Sequence, residues 1–517
     1  MESRTPAEGA RASEGAASRT SGEGGSRAPA GRQAARGRRA AATHRVPVRQ
    51  VPRRWRRRLA PTDPRKRKPK GVLTLWTRVR RLLWARWVWL PLTVWALVED
   101  AWGWAVGAGV MTLATWLLAL HESPPQYGLD HRIAAGSPEF LDSLAGLTGA
   151  PFLRGNRVDV LNNGDAFYPA MLDAVNAAER SITAEAYIYW AGQIGVQFAD
   201  ALAAASRRGV IVKILLDSVG SSSIGEDILQ RLEAGRCQLA WFNPVHWYTI
   251  DRFNNRTHRK SLIVDGRVAF TGGAGIADHW CGQAQDADHW RDLQVRIEGP
   301  GAIPLQTGFA QNWMLSTGEV VSGPEFFPGP VEAGPVALQM LLSSPSRGVS
   351  HARALYYFGI AAARHSLLIA NPYFVPDHAA IDLLVDARTR NVDVKIMVSG
   401  RHIDNWLARR NSIRLFGRLL HSGVEIHEYN RTMLHHKVMI VDGAWATVGT
   451  ANFDNRSFAF NEESNMSSAD PDLAQVLERT FLDDLGGCDR VTLKAWKHRG
   501  VTERAGEWVA ALLQDQV

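Results

Sequence analysis

Cysteine is nearly absent from this chain. Only Cys237, Cys281 and Cys488 occur in 517 residues, far apart and odd in number. With no CxxC pair, neither a disulfide framework nor a zinc site is expected, and the three read as small apolar residues. HExxH, EF-hand and P-loop patterns are also missing, so no cofactor and no metal is expected. Positive charge is scarce over most of the length. Residues 1–86 hold 24 Lys/Arg against 5 Asp/Glu, so the rest of a chain of net charge +9 carries −10. A nucleic-acid groove needs a basic face on the folded domain itself, so no nucleic-acid partner is expected.

What is present falls into segments. Residues 1–70 are rich in Ala, Arg, Gly, Ser and Pro with hardly a large apolar side chain. Such a stretch cannot bury enough surface to offset chain entropy, and it reads as a disordered tail. Residues 71–121 read as a membrane segment of one or two helices. Within it, Ala101–Leu120 is a run of 20 uncharged residues, matching the roughly 20 that cross a bilayer as a helix. The earlier stretch Leu82–Val98 is interrupted by Arg86 and Pro91, and it either spans, re-enters or lies in the interface. Eight tryptophans (76, 84, 87, 89, 95, 102, 104 and 116) fall in or beside this region, as in an interfacial aromatic belt. The Arg-rich side should stay in the cytoplasm; which side the remainder occupies depends on the number of helices and stays open.

Residues 122–150 read as a linker, and 501–517 as a C-terminal tail. Between them, helix and strand signals alternate in the same order twice, over 151–330 and 331–500. VKILLD in the first stretch returns as VKIMVS 182 residues later. The expected fold class is α/β: two tandem α/β/α repeats, each with a central mixed sheet and flanking helices.

One short pattern is also duplicated. His258-x-Lys260-x4-Asp265 recurs 177 residues later as His435-x-Lys437-x4-Asp442. Each copy runs into apolar residues (SLIV, VMIV) and then Asp-Gly, which reads as a hairpin. Residues i and i+2 of a strand share a face, so His and Lys should project together. A single copy would be weak evidence; two copies in matching hairpins are strong.

These residues suit phosphoryl chemistry. One imidazole can attack phosphorus and form a phosphohistidine, and a second can protonate the leaving alkoxide and later deprotonate the acceptor. Two lysines can neutralise the phosphoryl oxygens in place of a metal. Asp292 (in WRD) and Glu463 (in NEES) are candidates to orient the histidines. Asn452 is a candidate phosphate-binding amide. Asp265 and Asp442 complete the pattern and count with its catalytic set, although Asp before Gly is commonly a turn residue.

The paired motifs resemble those of the phospholipase D superfamily. The strings GNRVDVLNNGDAFYPAMLDAV, RTHRKSLIVDGRVAFTGG, ANPYFVPD, TMLHHKVMIVDG and GTANFDNRSFAFNEE resemble its bacterial cardiolipin synthase-like branch over about residues 140–495. The resemblance implies two phospholipase D-like domains that exchange phosphatidyl groups between phospholipids, phosphatidylglycerol above all, at the bacterial inner (plasma) membrane. It implies His258 as nucleophile and His435 as general acid/base, with Lys260, Lys437 and Asn452 on the phosphate. Three departures stand out. Gly275 occupies a position where the family often has Asn, Thr450 stands where Ser is common, and Ala186 alters the string Glu185-Ala186-Tyr187-Ile188. A hydrolase using water, a nuclease and a non-catalytic membrane scaffold are the alternatives.

Overall fold

The Asp-Gly turns place each motif hairpin near the middle of its own half of one large sheet. The computed structural model describes residues 86–99, 101–119, 133–244, 255–345 and 350–512. The expected tail over 1–70 lies outside the described residues. The described residues belong to one compact unit.

The first eight strands are β1 (Phe152–Asn162), β2 (Ser181–Ala186), β3 (Ile211–Asp217), β4 (Gln238–Phe242), β5 (Arg256–Thr257), β6 (Ser261–Val264), β7 (Val268–Gly272) and β8 (Leu293–Glu298). The next eight are β9 (Val336–Ser343), β10 (Ser366–Ala370), β11 (Asp393–Ser399), β12 (Glu425–Tyr429), β13 (Lys437–Val441), β14 (Trp445–Gly449), β15 (Asn461–Ser468) and β16 (Cys488–Val491). Helices α1 (Arg86–Val98), α2 (Trp102–Ala119) and α3 (Pro138–Thr148) come before the sheet. Helices α4 (Gly164–Ala177), α5 (Gln193–Arg207), α6 (Glu226–Ala234) and α7 (Ala302–Thr317) accompany its first half. Helices α8 (His351–Ala362), α9 (His378–Thr389), α10 (Trp406–Ser422), α11 (Asn455–Ala459), α12 (Pro471–Leu485), α13 (Leu493–Lys497) and α14 (Val501–Leu512) accompany the second.

Outward from the centre, one half reads β1-β8-β7-β6-β2-β3-β4 and the other β9-β15-β14-β13-β10-β11-β12, with β16 added at the far edge. In both, the outer trio is parallel. The expectation of two separate sheets is corrected: β9 pairs antiparallel with both β1 and β15, so the halves share one continuous sheet. Innermost strands left as free edges would expose unpaired backbone groups, and fusing them removes that liability.

Side chains alternate between layers, as the pleat requires. Along β6, Leu262 and Val264 join the core under α4–α6 while Ile263 faces the opposite layer. That opposite layer runs across both halves, where Phe309 and Trp313 of α7 and Leu473, Leu477 and Phe481 of α12 share one core.

Two further expectations need correction. The linker assigned to 122–150 contains α3, capped where Ser137 Oγ accepts from Phe140 N at 3.2 Å. Its Phe140 is fully buried against Phe358 and Trp445 of the second half. The tail assigned to 501–517 contains α14, tied down where Asn411 Nδ2 donates to Ala510 O at 3.0 Å.

The transmembrane expectation is corrected as well. The apolar region folds as two helices of 13 and 18 residues, reaching about 20 and 27 Å at 1.5 Å per residue. The chain reverses near Glu99, and Thr93 Oγ1 meets Thr112 Oγ1 at 3.2 Å across the resulting antiparallel pair. Among the described residues, no helix is long and apolar enough to cross a membrane.

Candidate active site

Both hairpins turn in the same way. Asp265 and Gly266 have φ of 52° and 63°, and Asp442 and Gly443 have 55° and 60°, left-handed backbone that Asp and Gly tolerate in a tight turn. The aspartates then act locally. Asp265 Oδ1 accepts from Arg180 N at 2.8 Å and Ser181 N at 2.9 Å. Asp442 Oδ1 accepts from His365 N at 2.7 Å and Ser366 N at 2.9 Å. Each ties its hairpin to the start of the neighbouring strand and lines no part of the pocket described next, which corrects their placement among the catalytic residues.

At the other end of each hairpin the motif histidines meet in one pocket of about 300 Å³. His258, Lys260, His435 and Asn452 all line it. Lys437 stands behind His435, with Nζ 3.2 Å from His435 Nε2. The motif histidines and lysines are almost fully buried.

The orienting carboxylates come from the opposite halves. Glu463 Oε2 lies 2.9 Å from Nδ1 of His258, and Asp292 Oδ2 lies 2.7 Å from Nδ1 of His435. The backbone explains this crossing. His258 N donates to the carbonyl of Glu462 at 2.9 Å, and His435 N donates to that of Arg291 at 2.8 Å. The residue before each carboxylate therefore fixes the histidine of the other half. Buried Arg259 and Arg291 secure these junctions, through Glu462 at 2.6 Å and Asp484 at 2.8 Å. With Nδ1 held by a carboxylate, Nε2 of His258 is left for chemistry, and Nε2 of His435 is turned toward Lys437 Nζ.

Electrostatics favour neutral imidazoles and ionised carboxylates before substrate binds. Burial lowers His258 to about 4, against the pull of Glu463. Burial and the Lys437 charge lower His435 to about 3, with Asp292 opposing. Burial works against ionisation of Glu463 too, but contact with His258 outweighs it and holds the carboxyl at about 2. Asp292 is lowered in the same sense, its burial outweighed by the hydrogen bond to His435. Burial and the mutual repulsion of the lysines bring Lys260 down to about 7, and burial brings Lys437 to about 8.

The sequence departures now have positions. Asn452 Oδ1 is buried without a hydrogen-bond partner at the pocket wall. Gly275 sits where an added Cβ would come within 2.7 Å of the Ile188 carbonyl. Thr450 Oγ1 donates to Glu463 Oε2 at 2.5 Å. Ala186 points into the core under α4–α6, whereas its neighbour Tyr187 lines the pocket, its ring edge-on to His258 at 5.2 Å. Sequence reasoning missed Trp280 and Trp290, whose rings flank His435 at 5.4 and 5.6 Å. It also missed Arg256, Tyr373 and Asp404 in the pocket wall. No spacing rule marks these residues.

A family model described as cardiolipin synthase, PLD-like domain, matches residues 171–290 and 359–485, one match in each half. A cardiolipin synthase from Geobacillus kaustophilus is 33% identical over 70% of this chain and 73% of its own length. Cardiolipin synthase 2 from Bacillus anthracis is 34% identical over 68% of this chain and 69% of its own. Among solved structures, a phosphatidylserine synthase from Haemophilus influenzae superposes with a TM-score of 0.57 at 14% identity, covering 73% of this chain and 100% of that one. That last likeness is one of fold.

Proposed function

The chain belongs to the cardiolipin synthase family of phospholipase D-like proteins, and from that premise we propose a phosphatidyltransferase that joins two phospholipids at the bacterial plasma membrane. The observation that carries the reading is the pair of histidines in one pocket, each held at Nδ1 by a carboxylate and each accompanied by a buried lysine. Two histidines facing one phosphorus centre suit a double displacement. The matching strand orders of the two halves support a tandem duplication as its origin.

In the proposed sequence, Nε2 of His258 attacks the phosphorus of phosphatidylglycerol. The bond from phosphorus to the glycerol oxygen breaks, and His435 gives that oxygen a proton so that glycerol leaves. A hydroxyl of a second phosphatidylglycerol then loses its proton to His435 and attacks the phosphohistidine. The P–N bond breaks, cardiolipin forms and His258 is regenerated. Lys260, Lys437 and the Asn452 amide stabilise the phosphoryl oxygens. A bound phosphodiester anion offsets the lysine charges that depress His435, which favours its acid form.

The helical pair α1–α2 supports a surface-lying anchor. Trp95, Trp102 and Trp104 are 57%, 64% and 77% exposed there, beside exposed Val98 and Val106. Such rings prefer the membrane–water interface, and the Arg-rich residues before them suit an anionic cytoplasmic leaflet.

The test is turnover of phosphatidylglycerol by the purified, detergent-solubilised protein, with products resolved by mass spectrometry. Cardiolipin and glycerol are expected. Phosphatidic acid and glycerol would make water the acceptor and replace the transferase by a hydrolase. No phosphatidyl product from folded protein would overturn both.

A further inference from the structure

The two half-sites are not equivalent, and the difference centres on Trp280. In the second half, Glu463 Oε2 accepts from His258 Nδ1 and from the Thr450 hydroxyl. Thr450 is the residue that follows β14, and Gly273 is the residue that follows β7. Gly273 therefore occupies the Thr450 position of the first half, and it has no hydroxyl to donate. An added Cβ there would meet Asp292 Oδ1 at 2.3 Å, so a serine or threonine would push the carboxylate out of its present position. By the same count Gly275 corresponds to Asn452, and a Cβ on it would meet the Ile188 carbonyl at 2.7 Å and Trp280 Cζ3 at 3.3 Å.

The missing donor is supplied from elsewhere. Trp280, fully buried in a short helical turn, donates its indole N–H to Asp292 Oδ2 at 2.9 Å. That oxygen is the one paired with His435 Nδ1. The indole thus stands to Asp292 as the Thr450 hydroxyl stands to Glu463. Its ring also meets His435 edge-on and packs at 4.9 Å against Trp290. We propose that Trp280 is a positioning residue for the reaction, holding the Asp292 carboxylate in register with His435 through its indole N–H. The inference rests on the reading of His435 as the acid/base group.

The chemical consequence has a definite sign. A carboxylate that loses one donor becomes a stronger acceptor for its remaining partner, and it favours the protonated form of that partner. The other charged groups around His435 are Lys437, Lys260 across the pocket, and the Arg291–Asp484 pair behind it. All of these stay in place when Trp280 is replaced by Phe.

The experiment compares full-length wild type with Trp280→Phe in detergent. Diethyl pyrocarbonate acylates neutral imidazole, and peptide mass spectrometry follows modification of His435 and His258 separately across pH. The expected result is that the midpoint for His435 moves up by at least about half a pH unit while that for His258 stays fixed. With phosphatidylglycerol, kcat is expected to fall at least tenfold and KM to change less than about threefold. Unchanged modification midpoints for both histidines would overturn the proposal and leave Trp280 as packing only. The modification arm needs no turnover, so it reads Trp280 even if the transferase reading fails. If Trp280→Phe does not fold, Trp280→Tyr keeps an aromatic ring without the indole donor, and the same shift of His435 alone is expected.

Discussion

Glu463 Oε2 reaches His258 Nδ1 at 2.9 Å across a sequence separation of 205 residues, from one half of the sheet to the other. Asp292 and His435 make the reciprocal bond at 2.7 Å. Neither half therefore contains a complete histidine–carboxylate pair, and the fused sheet brings the members of each pair together. Glu463→Gln keeps the size of the side chain but removes the charge that selects the Nδ1–H tautomer. The expected outcome is a fall in kcat on the order of 10²–10⁴, with KM changing much less. Initial rates on phosphatidylglycerol check this, and a kcat within twofold of wild type would remove Glu463 from the machinery.

Asp265 and Asp442 should behave differently despite belonging to the same motif. Their carboxylates accept backbone N–H groups at the ends of neighbouring strands and lie away from the pocket. Alanine at either site loses those acceptors and must also adopt a positive φ. A loss of about 1–3 kcal/mol is expected, or a few degrees in Tm for a domain this large. The kcat per folded molecule should stay near wild type; calorimetry gives the stability loss and initial rates on folded protein give kcat. A large kcat loss with an unchanged Tm would restore the aspartates to the catalytic set.

The parts of this architecture legible in the sequence are those set by local rules. The strand–Asp-Gly–strand hairpins, the alternating helices and strands, and the pairing of His with Lys all follow from period and turn chemistry. Asp292 and Glu463 could be picked out as carboxylates, but not assigned to a histidine. The assignment depends on which strands pair between halves, as Glu462 and Thr257 do in the β5–β15 ladder. Trp280 carried no signal, because an indole N–H becomes a donor to Asp292 only once the chain has folded. The helix α3 was legible yet passed over. Ser137-Pro138-Glu139 is a cap, a first-turn proline and a first-turn acid in succession. The division of the apolar region into Leu82–Val98 and Ala101–Leu120 was legible, because Glu99-Asp100 interrupts the run, and the chain reverses there.

The exposed tryptophans of α1–α2 give a separable test of the surface anchor. Trp102 and Trp104 lie on the second helix of the pair and touch none of the catalytic residues. Burying one large apolar side chain contributes roughly 1.5–3 kcal/mol. Trp102→Ser with Trp104→Ser should therefore weaken binding to phosphatidylglycerol vesicles at least tenfold. Turnover of detergent-dispersed substrate should stay near wild type. Co-sedimentation measures the first and product analysis the second; equal vesicle binding by both proteins would rule the pair out as the anchor.

The pH profile follows from the buried lysines and histidines. Lys260, lowered to about 7, and Lys437, lowered to about 8, are charged below those values and neutral above them. As pH rises through that window the phosphoryl oxygens lose their countercharges, so kcat/KM should fall above about pH 7–8. On the acid side the proposed attack needs a neutral His258, and its value of about 4 sets the lower limb. Lys260→Arg retains its charge far into the alkaline range and should carry the upper limb with it, even at reduced turnover. If the limb stayed in place in that variant, the loss above neutrality would have to come from Lys437 or from the acceptor, and Lys260 would not be the group that titrates.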